Sequence, residues 1–144
     1  MNEKKNNTIL LVEDNLGHAE LIKRSINANN KQYNIIHLDN GEDALEYIFK
    51  QGKFTQADSS PDLILLDLRL PKVDGIMVAK KIKESNDLRS IPIVILTTSE
   101  NRNDILNSYQ VYANSYLIKP LDFSKFKLII KNITDYWLDL NSIP

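Results

Sequence analysis

Three stretches of the chain are apolar almost without interruption: TILLV (residues 8–12), LILL (63–66) and IPIVILT (91–97). Each is rich in Ile, Leu and Val and too short for a free-standing helix. Continuous rather than alternating hydrophobicity predicts strands covered on both faces, as in a parallel sheet. YNIIHL (33–38) and SYLI (115–118) are weaker strand candidates. Between these runs the apolar positions shift to helical spacing. Ala19, Ile22 and Ile26 share one face. Ala44, Leu45, Ile48 and Phe49 share another, behind Asn40 as a capping residue. Ile76, Ala79 and Ile82 make a third stripe, and a fourth helix is expected over about 102–112. The last helix carries Phe126, Ile129, Ile130, Ile133, Trp137 and Leu140. KQGKFTQADSSPD (50–62) reads as a long polar connection before the third strand.

The alternation βαβαβαβαβ predicts an α/β fold: an open five-stranded parallel sheet, helices on both faces, with right-handed crossovers. Such sheets place their function beyond the carboxyl ends of the strands, near the point where the strand order reverses. A length of 144 residues fits one domain. Its expected limits are a flexible N-terminal arm over 1–7, the folded domain over 8–140 and a tail over 141–144.

Composition narrows the chemistry. The chain has no cysteine, which excludes disulfides, thiol catalysis and Cys-ligated zinc or iron–sulfur sites. Eighteen basic and 19 acidic residues give a formal charge of −1, so charge provides no bulk attraction to nucleic acid or anionic lipid. No run approaches the roughly 20 apolar residues of a membrane span, and nothing resembles a signal peptide. These features point to a soluble, cytoplasmic protein.

The reactive side chains lie where the strands end. The first run ends in Glu13-Asp14, the third in Asp67, the fourth in Thr97-Thr98-Ser99 and the fifth in Lys119-Pro120. In a parallel sheet those ends share one edge, so three carboxylates, a hydroxyl and an ammonium gather in one shallow pocket. Carboxylates packed together need a cation, and an all-oxygen donor set favours a hard one such as Mg²⁺. A carboxylate can also attack phosphorus to form an aspartyl phosphate. Such chemistry depends on placement and on neutralising the phosphoryl oxygens.

The segments LLVEDN, LILLDLRLPKVDG, VILTTS and YLIKP, in this order and on these strand ends, resemble the receiver domain of two-component response regulators. The resemblance covers about residues 8–140. It implies the CheY-like, flavodoxin-like fold with strand order 2-1-3-4-5. It implies that Asp67 accepts a phosphoryl group from a histidine kinase or phosphotransfer protein. Glu13, Asp14, Asp67 and the main-chain carbonyl of Arg69 would hold Mg²⁺ or Mn²⁺. Thr97 would be the switch hydroxyl, Tyr116 the aromatic residue that turns with it, and Lys119 the partner of the phosphoryl group. A cis Lys119–Pro120 bond is expected, and Pro71 and Gly75 would shape the loop after Asp67. The long connection 50–62 and the terminal YWLDL resemble the small single-domain regulators that partner phytochrome-type histidine kinases. That narrower likeness implies a homodimer through the fourth helix, fifth strand and fifth helix. The phosphorylated protein would change its binding to an unidentified downstream protein through this face.

The chain departs from the family pattern in places. Arg69 and Ser99 lie two positions beyond Asp67 and Thr97, where receivers set phosphate lifetime. VYANS (111–115) stands where many relatives read Gly-Ala. Asp74 reads as a helix cap, and His18 and His37 as structural or solvated. A phosphohydrolase of the haloacid dehalogenase type would need an acid where Arg69 stands. A flavodoxin-like cofactor binder would need a phosphate loop where Glu13 and Asp14 stand. A phosphorylation-independent interaction module is the remaining alternative.

Overall fold

A computed structural model describes residues 6–28, 31–57 and 60–144. Five strands, β1 (Thr8–Val12), β2 (Asn34–Leu38), β3 (Leu63–Leu66), β4 (Ile93–Thr97) and β5 (Ser115–Ile118), alternate with five helices. The helices are α1 (Leu16–Asn27), α2 (Gly41–Phe49), α3 (Gly75–Lys83), α4 (Arg102–Gln110) and α5 (Phe123–Thr134). Every strand pairing is parallel and the order is β2-β1-β3-β4-β5, as the hydrophobic pattern and the family resemblance imply. The chain leaves β1 for one edge and returns to β3 on the other side of β1. The switch point therefore lies between β1 and β3.

Residue parity assigns the core. Leu10, Val12, Ile64, Leu66, Ile93 and Ile95 point to one face and pack with Ala44 and Ile48 of α2 and Val78, Ala79 and Ile82 of α3. Ile9, Leu11, Leu63, Leu65, Val94 and Leu96 point to the other, against Ala19, Ile22 and Ile26 of α1 and Phe126, Ile130 and Ile133 of α5. Strands buried on both faces have no polar position, which is why their sequence lacks alternation. β1, β3 and β4 are buried throughout, whereas the edge strands β2 and β5 are mostly half-buried. α4 buries only Ser108, so its sequence carries the faintest helical stripe.

Asn or Asp caps every helix. Asn15, Asn40, Asp74, Asn101 and Asp122 each accept a hydrogen bond from a first-turn backbone N–H. Such caps satisfy donors that have no partner within the helix. Asp74, read from sequence as a cap, is bound by the Met77 N–H at 3.0 Å.

The structure corrects the sequence reading at the last helix and at Lys119–Pro120, and adds detail at the connection 50–62 and at the VYANS turn. The last helix ends at Thr134 and widens into a π-type turn over Asp135–Leu140, where Tyr136 meets Trp137 edge-on at 5.0 Å. Trp137 packs on the α1–α5 core. The connection 50–62 is not featureless: Gly52–Phe54 form a 3₁₀ turn that sets Phe54 edge-on against Tyr47. There is no cis peptide bond among the described residues, so Lys119–Pro120 is trans. Trans is the default for an X–Pro bond by about 0.5–1 kcal/mol. Finally, the VYANS turn has its own geometry. Tyr112 takes the left-handed region (φ 69°), a conformation that favours glycine. The Asn114 carboxamide oxygen accepts from the Ile93 N–H at 2.8 Å and the Lys83 ammonium at 2.9 Å, tying the turn to β4 and α3.

The expected arm over residues 1–7 falls largely outside the described residues. No helix among the described residues is long and apolar enough to cross a membrane.

Candidate functional site

The carboxyl ends of β1, β3, β4 and β5 bring Glu13, Asp14, Asp67, Thr97 and Lys119 to one edge. Asp67 follows β3 directly, and its backbone N–H continues the ladder to the Val12 carbonyl at 3.1 Å. Lys119 follows β5 and is fixed the same way, its N–H on the Thr97 carbonyl at 2.7 Å. Sheet register therefore positions both side chains before any contact between them forms. A pocket of about 210 Å³ opens here, lined by the three acids, His18, Arg69, Thr98 and Lys119 among others.

Lys119 is the hub. Its buried ammonium donates to Glu13 Oε2 at 2.6 Å, to His18 Nδ1 at 2.9 Å and to Asp67 Oδ2 at 3.0 Å. An ammonium has three hydrogens, so the group is saturated. The His18 ring nitrogen must accept, so the imidazole is neutral. Burial and the nearby ammonium both lower the His18 pKa, in keeping with this. The other oxygen of Asp67, Oδ1, accepts from the Leu68 N–H at 2.7 Å.

One ammonium cannot compensate three acids. Burial pushes the Glu13 carboxyl up to about 7; the hydrogen bond from Lys119 opposes this and the charge of Asp67 adds to it. Burial also acts to raise Asp67, but the Lys119 charge and hydrogen bond, helped by the Thr97 hydroxyl, outweigh it and hold this carboxyl below its usual range. Of the pair, Asp67 is the stronger acid and Glu13 the one that takes up a proton first as the pH falls. Glu13, Asp14 and Asp67 each offer an oxygen, all within 4.8 Å of one another. Oxygen donors, excess negative charge and a His18 nitrogen already turned to Lys119 fit a hard divalent cation.

The loops around the acids are tightly held. The Gly75 N–H donates to the Leu68 carbonyl and the Gly41 N–H to the Pro71 carbonyl, pinning the segment after Asp67 from both sides. The Arg69 guanidinium turns out of the acid cluster to Asp104 on α4, at 2.7 Å. The Thr97 side chain is buried, and Tyr116 is half-buried with its hydroxyl donating to the Ser99 carbonyl at 2.9 Å.

Two further roles escaped the sequence reading. His18 touches Lys119 although they lie 101 residues apart, and Asp104 pairs with Arg69. The first-turn position of His18 just after Glu13-Asp14 was the available signal for His18. His37 proves structural: its Nε2 donates to the Glu13 carbonyl at 2.8 Å and steadies the end of β1.

Comparison with known proteins yields a consistent set of relatives. A family model for the response regulator receiver domain matches residues 9–131. The chain is 46% identical over 137 residues to the probable methanogenesis regulatory protein FilR2 of Methanothrix harundinacea, covering 94% of this chain and 86% of that protein. It is 36% identical to response regulator Rcp1 of Synechocystis sp. over 94% of this chain and 92% of that one. The crystal structure of Mn²⁺-bound Rcp1 superposes with a TM-score of 0.89, covering 96% of this chain and 99% of that one. The crystal structure of the phosphorylated cyanobacterial phytochrome response regulator RcpA superposes with a TM-score of 0.93 at 37% identity, covering 97% and 99%.

Proposed function

This chain belongs to the response regulator receiver family, whose members act in two-component signalling and switch on phosphorylation, and on that premise we propose that Asp67 is its phosphoacceptor. The observation that carries the assignment is the shared ammonium: Lys119 grips Asp67 Oδ2, and its charge and hydrogen bond outweigh burial and hold that carboxyl below its usual range. Glu13, Asp14, Asp67 and the Arg69 carbonyl would hold Mg²⁺ or Mn²⁺. A cation held there supplies neutralisation of the phosphoryl oxygens. The acidic group in the pocket and the Mn²⁺-bound relative support it.

In this reading Asp67 Oδ2 attacks the phosphorus of a phosphohistidine, and the imidazole leaves. Lys119 exchanges a carboxylate oxygen for a phosphoryl oxygen, and the Thr97 hydroxyl, buried beside the acid, turns to donate to another. Tyr116 gives up the Ser99 carbonyl and turns inward toward the space that Thr97 leaves. The surface made by α4, β5 and α5 then changes partners. The chain catalyses at most its own phosphorylation and dephosphorylation. Arg69, paired with Asp104, offers no general acid of the phosphohydrolase kind. The donor in this reading is a sensor histidine kinase or phosphotransfer protein, the kinase of phytochrome type by analogy with RcpA.

Incubation of the protein with acetyl phosphate and Mg²⁺ tests the assignment. A single phosphoryl adduct by intact mass, mapped by fragmentation to residue 67 and lost in EDTA, is the expected result. A folded, metal-saturated protein with no adduct after long incubation overturns it.

The α4–β5–α5 face also pairs two copies in this proposal. Leu106 and Tyr109 on α4 and Ile118 on β5 are exposed apolar groups suited to such a contact. Trp137 packs on the core, so its replacement would test folding instead. Sedimentation should show a dimer that Leu106→Glu combined with Tyr109→Glu converts to monomer. Monomer in both proteins would remove the pairing.

A further inference from the structure

Resting on the proposed chemistry at Asp67, we infer that Asp104 is a positioning residue that keeps Arg69 away from the phosphoacceptor until a phosphoryl group competes for it. The Arg69 guanidinium reaches Asp104 Oδ2 at 2.7 Å, and the Ser99 hydroxyl donates to the same oxygen at 2.6 Å. One carboxylate oxygen thus joins three segments: the loop after β3, the loop after β4 and the first turn of α4. The two partners differ in freedom. The Asp104 side chain is 17% exposed and its backbone N–H donates to the Asn101 cap, whereas the side chain of Arg69 is 73% exposed. Arg69 is the member free to move.

It also stands at a boundary. Arg69 lines the acidic pocket together with Asp67, and it lines a larger groove of about 580 Å³ together with Asp104. A swing of one side chain carries the guanidinium from the groove to the pocket. Before phosphorylation the pocket holds saturated Lys119, and Asp104 is the open acceptor. Phosphorylation replaces the single carboxylate charge of Asp67 with a phosphoryl group carrying about −1.5 to −2 and three strong acceptor oxygens. Guanidinium matches phosphate oxygens in a bidentate fork, so the phosphoryl group outcompetes a single carboxylate. An exposed ion pair is weak enough to exchange.

The consequence reaches α4. When Arg69 leaves, the Asp104 carboxylate keeps the Ser99 hydroxyl, and that residue's carbonyl is the acceptor that Tyr116 holds before switching. The exchange loosens the first turn of α4 and the Ser99 loop together, coupling the occupied pocket to the surface that changes partners.

The test is the ratio of phosphorylated to unphosphorylated protein at subsaturating acetyl phosphate and fixed Mg²⁺, read by intact mass. Asp104→Asn keeps the shape and the Ser99 hydrogen bond but removes the competing charge. It should raise the ratio about two- to fivefold, the scale of an exposed ion pair, and should do nothing when Arg69→Ala is also present. Amide exchange in the first turn of α4 should be fast in unphosphorylated Asp104→Asn and become fast in the wild type only after phosphorylation. An unchanged or lowered ratio overturns the inference, as does an equal gain without Arg69. An adduct in the wild type with no Asp104 effect removes the positioning role and leaves the Asp67 chemistry standing. No adduct in the wild type removes both.

Discussion

Lys119→Met is expected to cost the metal-free protein about 3 kcal/mol of stability at neutral pH, measured as a shift in the urea midpoint. The lysine saturates Glu13, Asp67 and His18 from a buried position. Breaking a buried ion pair by removing one partner costs about 3–5 kcal/mol, because the other charge stays behind unpaired. Here the cost falls at the low end, since Glu13 already holds its proton up to about 7 and can absorb part of the change. Methionine fills the channel of the lysine stem, so the loss reports charge and not a cavity. Added Mg²⁺ should restore more stability to the variant than to the wild type, because three acids then face the cation with no ammonium among them. Equal urea midpoints for the two proteins, with and without metal, would show that the ammonium does not bind the cluster together.

The second large effect is expected at two glycines. A Cβ on Gly41 would lie 1.8 Å from the Val73 carbonyl oxygen, and one on Gly75 would lie 2.2 Å from the Asp67 carbonyl oxygen and 2.8 Å from the Leu68 Cα. All of these are backbone atoms, so no side chain can yield. Either alanine should destabilise by about 3 kcal/mol, the upper range for overpacking. The two differ in consequence. Gly75→Ala displaces the peptide of Asp67 itself and should slow labelling by acetyl phosphate beyond its effect on stability. Gly41→Ala presses on the loop at Pro71–Val73 and should lower the thermal midpoint while labelling of the folded fraction continues. Wild-type stability for both variants would mean that the two helix starts stand further from the loop than the structure places them.

These glycines show where sequence reading reaches and where it stops. Gly75 was legible as a loop-shaping residue because the receiver resemblance carries that role to it. Gly41 was not, because its neighbour Val73 lies 32 positions away and is brought there by the sheet. The same division runs through the acid cluster. Glu13, Asp14, Asp67, Thr97 and Lys119 announce themselves as polar residues ending apolar runs. A strand end is a local property, and parallel pairing then places all such ends on one edge. The caps at Asn40 and Asp74 were equally local.

What the chain order alone could not express are contacts that depend on rotamer and on packing between distant elements. His18 looked like an ordinary residue of the first turn until α1 placed its ring beside Lys119. Asp104 drew no reading from the sequence, and the short α4 brings it to Arg69. The widened turn at Asp135–Leu140 is where Trp137 seats on the core, and no periodicity marks it.

By itself, the sequence determined the element types, the parallel sheet and the identity of the acids at its edge, because periodicity and strand ends are written in neighbouring residues. Only the tertiary structure decided that the Asp67 carboxyl is held below its usual range while the Glu13 carboxyl is pushed above it. Both are buried strand-end acids on the same lysine, and what separates them is their balance of desolvation, charge and hydrogen bonding. That balance is a property of the folded arrangement, to which residues more than a hundred positions apart contribute.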